Sequence, residues 1–264
     1  MNEFESAVSK LVEDQEDFCR SFVIPLLIPS TKSKRSVPEF VGTGFIIKYK
    51  SGEYLISANH VVEEFSNRKS AMYSFGPKTG TLFEIEPVEE NFCSEGDIAV
   101  VKIESVEPQG LDPLSVAPQK LYEAKDNILH IWGYPGSRNK NIVSKKKTVP
   151  MGMTVKILAD SIDRNGTSTV RNAILDRENF VESGMSAHPD GISGSPVFSL
   201  GAERAFTEPE REKEREFELV GVYTETDDQE KSCQYELLSF SLYACRDAYP
   251  DFVDWKEFQE TVVY

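Results

Sequence analysis

The most informative part of this sequence is the stretch Gly191-Ile192-Ser193-Gly194-Ser195-Pro196. It holds two glycines, two serines and a proline in six residues and runs directly into the apolar pair Val197-Phe198. This composition indicates a tight turn that leads into a strand. Backbone N–H groups in such a turn can point at one spot beside the Ser193 hydroxyl, where an oxyanion would be stabilised. Acyl transfer needs that arrangement, although an ordinary Gly/Ser turn is the alternative explanation for the hexapeptide alone.

A hydroxyl is a poor nucleophile by itself, so this interpretation requires a base and an acid elsewhere in the chain. His60 ends a strand-like run that begins at Tyr54, and Asp97 stands at the mouth of the apolar run 98–103. Taken singly, His60 is explained as a structural histidine and Asp97 as a turn acid. In chain order, however, His60, Asp97 and Ser193 follow one of the three orders in which serine triads occur.

Together these local patterns resemble the trypsin-like serine peptidases, which have the chymotrypsin fold. The resemblance spans most of the chain. It is carried by Gly42-Thr-Gly-Phe45, Ser57-Ala-Asn-His60, Gly96-Asp97 and the hexapeptide, with weaker support from Gly133-Tyr-Pro-Gly136 and Leu219-Val-Gly-Val222. Ile192 stands where the digestive members have an aspartate that pairs with a freed N-terminus. The sequence is therefore similar to the bacterial and intracellular branch, whose site is ordered by other means.

Short strands separated by turn signals in both halves of the chain predict an all-β protein. The predicted strands are 21–28, 41–48, 53–57, 72–75, 82–87 and 97–103, then about 128–133, 142–147, 152–158, 168–174, 195–200, 217–224 and 236–243. The resemblance implies two antiparallel six-stranded β-barrels of the chymotrypsin type with the site in the cleft between them. Residues 1–264 then form one module, with a first barrel at about 19–105, a connection at 106–126, a second barrel at 127–245 and a C-terminal helix at 250–263. Residues 2 to about 18 predict an amphipathic N-terminal helix.

Each member of the predicted triad has its own role. Ser193 would be the nucleophile, His60 the general base and then the general acid, and Asp97 the residue that holds the imidazole tautomer. The N–H groups of Gly191 and Ser193 would form the oxyanion hole. Ser195, the other serine of the turn, is interpreted as structural.

The substrate pocket follows from the resemblance, because in this family the residues just before the nucleophile line it. This places Ala187 at the pocket floor and His188 in its wall, faced by the strand that carries Tyr223 and Thr224. Without an acid at the floor, cleavage after Lys or Arg is disfavoured. Either His188 favours a polar or acidic substrate residue, or it turns away and the pocket takes small apolar residues. Tyr223 is placed where many relatives have a serine that supports the catalytic aspartate, so the support of Asp97 is left unassigned.

Charge and cysteine content restrict the partners and the compartment. The formal net charge of −15, from 29 basic and 44 acidic residues, argues against nucleic acid or an anionic membrane as the main partner. The acidic N-terminus differs from a signal peptide and no apolar run has the length of a membrane span, so we expect a cytoplasmic protein. We also expect free buried thiols rather than disulfides, no metal site and no cofactor, since the cysteines are widely scattered: Cys19, Cys93, Cys233 and Cys245.

The sequence thus predicts a serine endopeptidase that cleaves proteins or peptides through an acyl-enzyme. We expect it to be regulated, with a regulatory protein partner as one route, and the acidic insert 201–217 and the N-terminal helix are the candidate control elements. The alternative is a catalytically silent trypsin-like fold that serves as a protein-binding scaffold. An esterase of the α/β-hydrolase type is disfavoured, because Ser195 stands where the Gly-x-Ser-x-Gly motif needs glycine.

Overall fold

The computed structural model describes residues 17–29, 38–77, 80–88, 92–116, 128–139, 153–159, 170–175, 191–199, 218–227 and 232–255. Strands outnumber helices in this part of the chain, which confirms the prediction of a mainly β protein. No helix within these ranges is long and apolar enough to cross a lipid bilayer.

The first half of the chain forms one sheet. Its strands are β1 (Val23–Ile28), β2 (Glu39–Tyr49), β3 (Gly52–Ala58), β4 (Met72–Phe75), β5 (Leu82–Ile85), β6 (Cys93–Glu95), β7 (Ile98–Ile103) and β8 (Leu114–Ser115). Antiparallel neighbours follow the order β5-β4-β1-β2-β3-β7-β6, and β8 pairs in parallel with β2. Strands β1 and β3 are buried along their whole length, and the sequence of β1 is accordingly almost entirely apolar.

The second half forms a separate sheet. Its strands are β9 (Ile128–Gly133), β10 (Met153–Ala159), β11 (Val170–Leu175), β12 (Pro196–Ser199), β13 (Glu218–Asp227) and β14 (Ser232–Leu237). They pair in the order β10-β11-β14-β13-β12-β9, and β9 pairs again with β10, so this sheet closes on itself. The strand predicted at 142–147 lies outside the described residues.

The expected pair of closed barrels is not confirmed, because the first-half sheet is an open path among the described residues, with β5 and β6 at its ends. The segment directly after β5 does approach β7. Pro87 forms a single bridge to Ile103, and the Val88 N–H donates to the Lys102 carbonyl over 2.9 Å. Proline has no N–H to donate, so a continuous ladder cannot run through this position. Strands β6 and β8 were not predicted, since runs of three and two residues carry no readable alternation.

One apolar core joins the two halves, and a second lies within the first half. The shared core contains Phe45 and Tyr54 from the first sheet, Trp132 and Phe198 from the second, and Phe252 from the C-terminal segment. The other core is built from β1, β3 and β7 and is covered by helix α1 (Asn59–Arg68). The shared core fixes how the second sheet sits against the loops at the end of β3, where the histidine lies.

Helix α1 is not predicted, because the strand-like run from Tyr54 to His60 overlaps its first residues. It starts directly after β3, and it buries Val61, Val62 and Phe65 on one face, which is helical spacing. Lys69 ends the helix in the left-handed conformation at φ 48°, and its N–H donates to the carbonyls of Phe65 and Ser66. The change from strand to helix therefore falls at Ala58, two residues before His60.

The C-terminal region differs from the prediction at two points. The strand predicted at 236–243 ends at Leu237, and the chain continues as helix α3 (Leu238–Ala244) and a 3₁₀ turn at Cys245–Asp247. The predicted terminal helix begins as a 3₁₀ helix at Pro250–Trp255, and its remainder lies outside the described residues. Of the predicted N-terminal helix, only residues 17–19 are described, and they are helical. A four-residue helix, α2 (Gly136–Asn139), follows β9.

The prediction of four free thiols is wrong for two of them. Cys93 in β6 forms a disulfide with Cys245, 152 residues further along the chain, at a Cα–Cα distance of 5.7 Å. Cys19 and Cys233 are buried thiols. Only the folded chain brings β6 against the turn after α3, so the spacing of the cysteines in the sequence could not reveal the pair.

Candidate active site

His60 and Asp97 lie side by side at the end of two paired strands. Strands β3 and β7 are antiparallel neighbours with Ala58 opposite Ile98, so the residues just beyond this pair meet at one edge of the sheet. The His60 Nδ1 is 2.8 Å from Oδ2 of Asp97 and 3.1 Å from Oδ1. The sequence-predicted base and acid are therefore brought together.

The backbone holds Asp97 in this orientation. The N–H of His60 donates to Oδ1 of Asp97 over 3.1 Å, and the N–H of Asn59 donates to the Asp97 carbonyl over 2.8 Å. Both donors belong to the first turn of α1, where backbone N–H groups have no partner inside the helix. The start of the helix thus fixes the aspartate, and the aspartate fixes the imidazole.

The Asp97 carboxylate raises the pKa of His60 above its ordinary value of 6.5, chiefly through the hydrogen bond to Nδ1. Partial burial of the ring lowers the pKa, while the charges of Asp97, Glu225 and Glu63 raise it further. With Nδ1 donating to Asp97, the neutral ring has its lone pair on Nε2. About half of the His60 side chain is exposed, at 52%.

The Ser193 turn is shaped by two glycines in the left-handed region. Gly191 has φ 91° and Gly194 has φ 89°, conformations that side-chain-bearing residues rarely adopt. The turn is closed by the Ser195 N–H, which donates to the Ile192 carbonyl over 3.0 Å. It is tied to β13 by the Gly194 N–H, which donates to the Tyr223 carbonyl over 2.8 Å.

The same turn packs against the strands that lead to His60. The Thr43 N–H in β2 donates to the Ser193 carbonyl over 3.0 Å. A Cβ at Gly194 would overlap the Thr43 carbonyl and the Ser57 hydroxyl and would lie 2.9 Å from the Ala58 nitrogen. The serine turn therefore meets β3 within three residues of His60. Among the described residues, the Ser193 hydroxyl itself has no hydrogen-bond partner.

The N–H groups predicted to bind an oxyanion, those of Gly191 and Ser193, both belong to this turn. Neither the Gly191 N–H nor the Ser193 N–H donates to another described residue, whereas the N–H groups of Gly194 and Ser195 are both used to hold the turn. The two available donors thus precede the two that hold the turn. This pattern can receive an anionic oxygen beside Ser193.

Ser195 is buried, with no exposed surface, and its hydroxyl finds no hydrogen-bond partner in the part of the chain that is described. Its side chain packs on Gly133 of β9 so closely that a Cβ on that glycine would overlap Oγ. The Tyr223 N–H donates to the Ser195 carbonyl over 2.9 Å. These contacts are those of a structural residue, as the sequence predicted.

Thr43 connects the two halves at the site, a role that the sequence analysis did not assign. Its hydroxyl donates to the Gly191 carbonyl over 2.9 Å and accepts from the Tyr134 N–H over 3.0 Å. Its own carbonyl accepts from the Ser57 hydroxyl over 2.7 Å. The motif around Gly42 and Gly44 drew attention to this stretch, but only the fold shows that the threonine between them is hydrogen-bonded to the serine turn.

The predicted substrate pocket is described only in part. Ala187 and His188 lie outside the described residues. Tyr223 and Thr224 are buried in β13, and the Thr224 hydroxyl donates to the Gln234 carbonyl over 3.4 Å. Neither residue supplies a hydroxyl to the Asp97 carboxylate, whose described partners all belong to His60.

Comparison with known proteins identifies the family of this chain. A family model described as the trypsin-like peptidase domain matches residues 42–204, a range that contains His60, Asp97 and Ser193. The crystal structure of the Rv3671c protease from M. tuberculosis, active form, is similar at 14% identity and a TM-score of 0.49, covering 88% of this chain and 82% of that one. No curated protein sequence matches this chain. Since the family model spans more than half of the 264 residues, the chain belongs to the family of trypsin-like peptidase domains.

Proposed function

We propose that the protein is a serine endopeptidase that hydrolyses peptide bonds of protein substrates through an acyl-enzyme. The observation that carries this proposal is the His60–Asp97 pair, at 2.8 Å, at the edge of the sheet on which the Ser193 turn docks. Membership of the trypsin-like peptidase family supports a serine protease in general. The triad assignment and the peptide-bond chemistry are the further steps of the proposal.

In the proposed reaction, His60 Nε2 takes the proton of the Ser193 hydroxyl while Oγ attacks the carbonyl carbon of the scissile peptide bond. The N–H groups of Gly191 and Ser193 bind the oxyanion that forms. The protonated His60 then gives its proton to the leaving amine, and the C–N bond breaks to leave the acyl-enzyme. Water, deprotonated by the same nitrogen, releases the acid and restores Ser193. Asp97 stabilises the imidazolium in both halves.

Labelling with a fluorophosphonate tests the nucleophile directly. We expect covalent labelling of the wild type at Ser193 and complete loss of labelling in Ser193→Ala, because the probe reacts only with an activated hydroxyl. Ser195→Ala is the matched control from the same turn, and it should still label, since the Ser195 hydroxyl is buried. Peptide hydrolysis that survives in Ser193→Ala would rule out the assignment.

The alternative function, a catalytically silent fold that binds proteins, has one observation in its favour. The Ser193 hydroxyl makes no hydrogen bond to His60 among the described residues, so the nucleophile and base are not yet engaged. Catalytic hydrogen bonds are often long without substrate and tighten only when it binds, which favours the peptidase. A wild-type protein that neither labels nor hydrolyses a peptide library would favour the scaffold.

Regulation, substrate preference and cellular location are further parts of the proposal. Regulation by the insert 201–217 or by the N-terminal helix predicts poor casein cleavage by the intact chain and a changed rate when either segment is deleted. Both segments lie outside the described residues, apart from residues 17–19 of the helix.

A polar or acidic substrate preference through His188 predicts that a peptide library is not cut mainly after Lys or Arg, and that His188→Ala alters the preference. A cytoplasmic location, with no nucleic acid or membrane partner, is tested by fractionation.

A further inference from the structure

The support of Asp97 comes from the second sheet, through a residue that the sequence analysis did not consider. Glu236 lies in β14, opposite Val222 of β13 and Val170 of β11, and only 4% of it is exposed. Its Oε1 accepts a hydrogen bond of 2.9 Å from the backbone N–H of Asp97, 139 residues away in sequence. A buried carboxylate of the second sheet thus contacts the turn that carries Asp97 in the first half of the chain.

The contact is a close fit on both sides. Gly96 has φ 59°, in the left-handed region, and a Cβ there would overlap Oε2 of Glu236 and lie 2.8 Å from Oε1. On the other side, Gly221 of β13 approaches the Glu236 backbone so closely that a Cβ would overlap its carbonyl oxygen. Gly96 therefore leaves the space in which the Glu236 carboxylate lies against the peptide between Gly96 and Asp97, and Gly221 leaves the space for the Glu236 backbone.

This contact completes the set of bonds that orient Asp97. Its carbonyl accepts from Asn59 and its carboxylate accepts from His60, both at the start of helix α1 in the first half of the chain. Its N–H is fixed by Glu236 alone among the described residues. With N–H and carbonyl both held, the direction of the Cα–Cβ bond is set, and so is the approach of the carboxylate to Nδ1 of the imidazole.

We propose that Glu236 is a positioning residue for the triad: its buried carboxylate holds the Asp97 N–H and thereby aligns the Asp97 carboxylate with His60 Nδ1 once the second sheet has docked. The proposal rests on the proposed peptidase function for its catalytic consequence, but its structural part does not. Glu236 touches neither substrate nor reacting atoms in the proposed mechanism. It acts through Asp97, in place of the hydroxyl that Tyr223 and Thr224 do not provide.

The test uses two variants that differ in one property. Glu236→Met keeps the length of the side chain and removes the acceptor, whereas Glu236→Gln keeps an acceptor oxygen. The first readout is the NMR signal of the His60 Nδ1 proton, which is strongly deshielded when it is bound to an aligned carboxylate. The second is kcat on a peptide substrate. We expect Glu236→Met to lose the deshielded signal and about 10-fold or more of kcat, because it leaves the Asp97 N–H without its acceptor. Glu236→Gln should keep the signal and most of kcat.

A control separates positioning from stability. Glu53 is another buried carboxylate, and it accepts from the Val106 N–H over 2.9 Å and from the Ser105 hydroxyl over 3.0 Å, away from the site. We expect Glu53→Met to lower the unfolding midpoint while leaving the His60 signal unchanged. If Glu236→Met does not fold, Gly96→Ala displaces the same carboxylate from the other side and should also weaken the signal.

The outcomes are distinct. A folded Glu236→Met with an unchanged His60 signal and unchanged kcat would overturn the proposal, as would a loss of the signal in Glu236→Gln equal to that in Glu236→Met. A wild type that shows the deshielded signal but hydrolyses no peptide would contradict the proposed function. In that case the positioning role would still be decided by the signal in the two Glu236 variants.

Discussion

At the scale of single residues, the site depends on which polar atoms are held and which are left available. Asp97 is held through its N–H, its carbonyl and its carboxylate. Thr43 holds the serine turn by its N–H and its hydroxyl, while the N–H groups of Gly191 and Ser193 stay available for a ligand. A preorganised set of donors costs no reorganisation during the reaction, and this is the main source of transition-state stabilisation in such sites.

The first prediction at this scale concerns pH. The base must be neutral to accept the Ser193 proton, so kcat/KM should rise with pH through the His60 pKa and be lost as the pH falls below it. Because the bond to Asp97 raises this pKa, the acidic limb should lie above 6.5. In Asp97→Asn the limb should move to lower pH and kcat should fall by about 10⁴-fold, as expected when the imidazole tautomer is wrong. A pH profile of kcat/KM for both proteins measures this, and an unmoved limb would contradict the assigned roles.

At the scale of elements, the decisive feature is the docking of the Gly191–Pro196 turn onto β2 and β3. The turn has no room for a side chain at Gly194, whose Cβ would overlap the Thr43 carbonyl and the Ser57 hydroxyl. Helix α1 starts at the same edge and carries His60. The geometry of the site is therefore the geometry of one turn, two strand ends and one helix start.

The prediction at this scale is that Gly194→Ala abolishes fluorophosphonate labelling and lowers the free energy of unfolding by about 2 kcal/mol or more, since backbone strain and overpacking add. Gly110→Ala is the control. Gly110 also has a left-handed φ, of 78°, at the end of the 3₁₀ helix Glu107–Gln109, so the backbone strain is matched away from the site. Labelling of Gly194→Ala at the wild-type rate would show that the close contact is not needed. Chemical denaturation and labelling kinetics provide the measurements.

At the scale of the whole molecule, the C-terminal segment 238–255 packs against the first sheet. Tyr249 and Phe252 pack on Tyr54 of the first sheet, and the Tyr54 hydroxyl donates to Asp251 over 3.0 Å. The Cys93–Cys245 disulfide joins this segment to β6, directly before the turn that carries Asp97. A segment that follows the second sheet in sequence thus fastens the first sheet in space.

The prediction at this scale is that Cys245→Ser lowers the free energy of unfolding by about 2–5 kcal/mol, because the disulfide closes a long loop in the unfolded chain. Cys233→Ala is the matched control. Burial raises the pKa of the Cys233 thiol to about 12, so it is unreactive and its loss should leave the response to reductant unchanged. Denaturation with and without reductant measures both. If reductant does not move the wild-type midpoint, the disulfide does not form in solution.

Features that depend on neighbouring residues could be predicted from the sequence alone. Alternating and apolar runs predicted β2, β3, β4 and β9, and the glycine-rich hexapeptide predicted a strained turn at Ser193, since turn chemistry is local. The motif patterns also placed the chain in its family and brought forward His60 and Asp97. Side-chain burial then agreed with the structural reading of Ser195.

Contacts between distant segments required the folded structure. Three such contacts are the Cys93–Cys245 disulfide, the hydrogen bond from the Thr43 hydroxyl to the Gly191 carbonyl, and the hydrogen bond from the Asp97 N–H to Glu236. Their residues lie 152, 148 and 139 positions apart in sequence. Such contacts arise from the docking of the two sheets, and no local pattern encodes them. The helix at Asn59–Arg68 was not predicted, because its Val61-Val62 pair favours a strand locally. In the structure these valines pack against the first-half core from a helix instead.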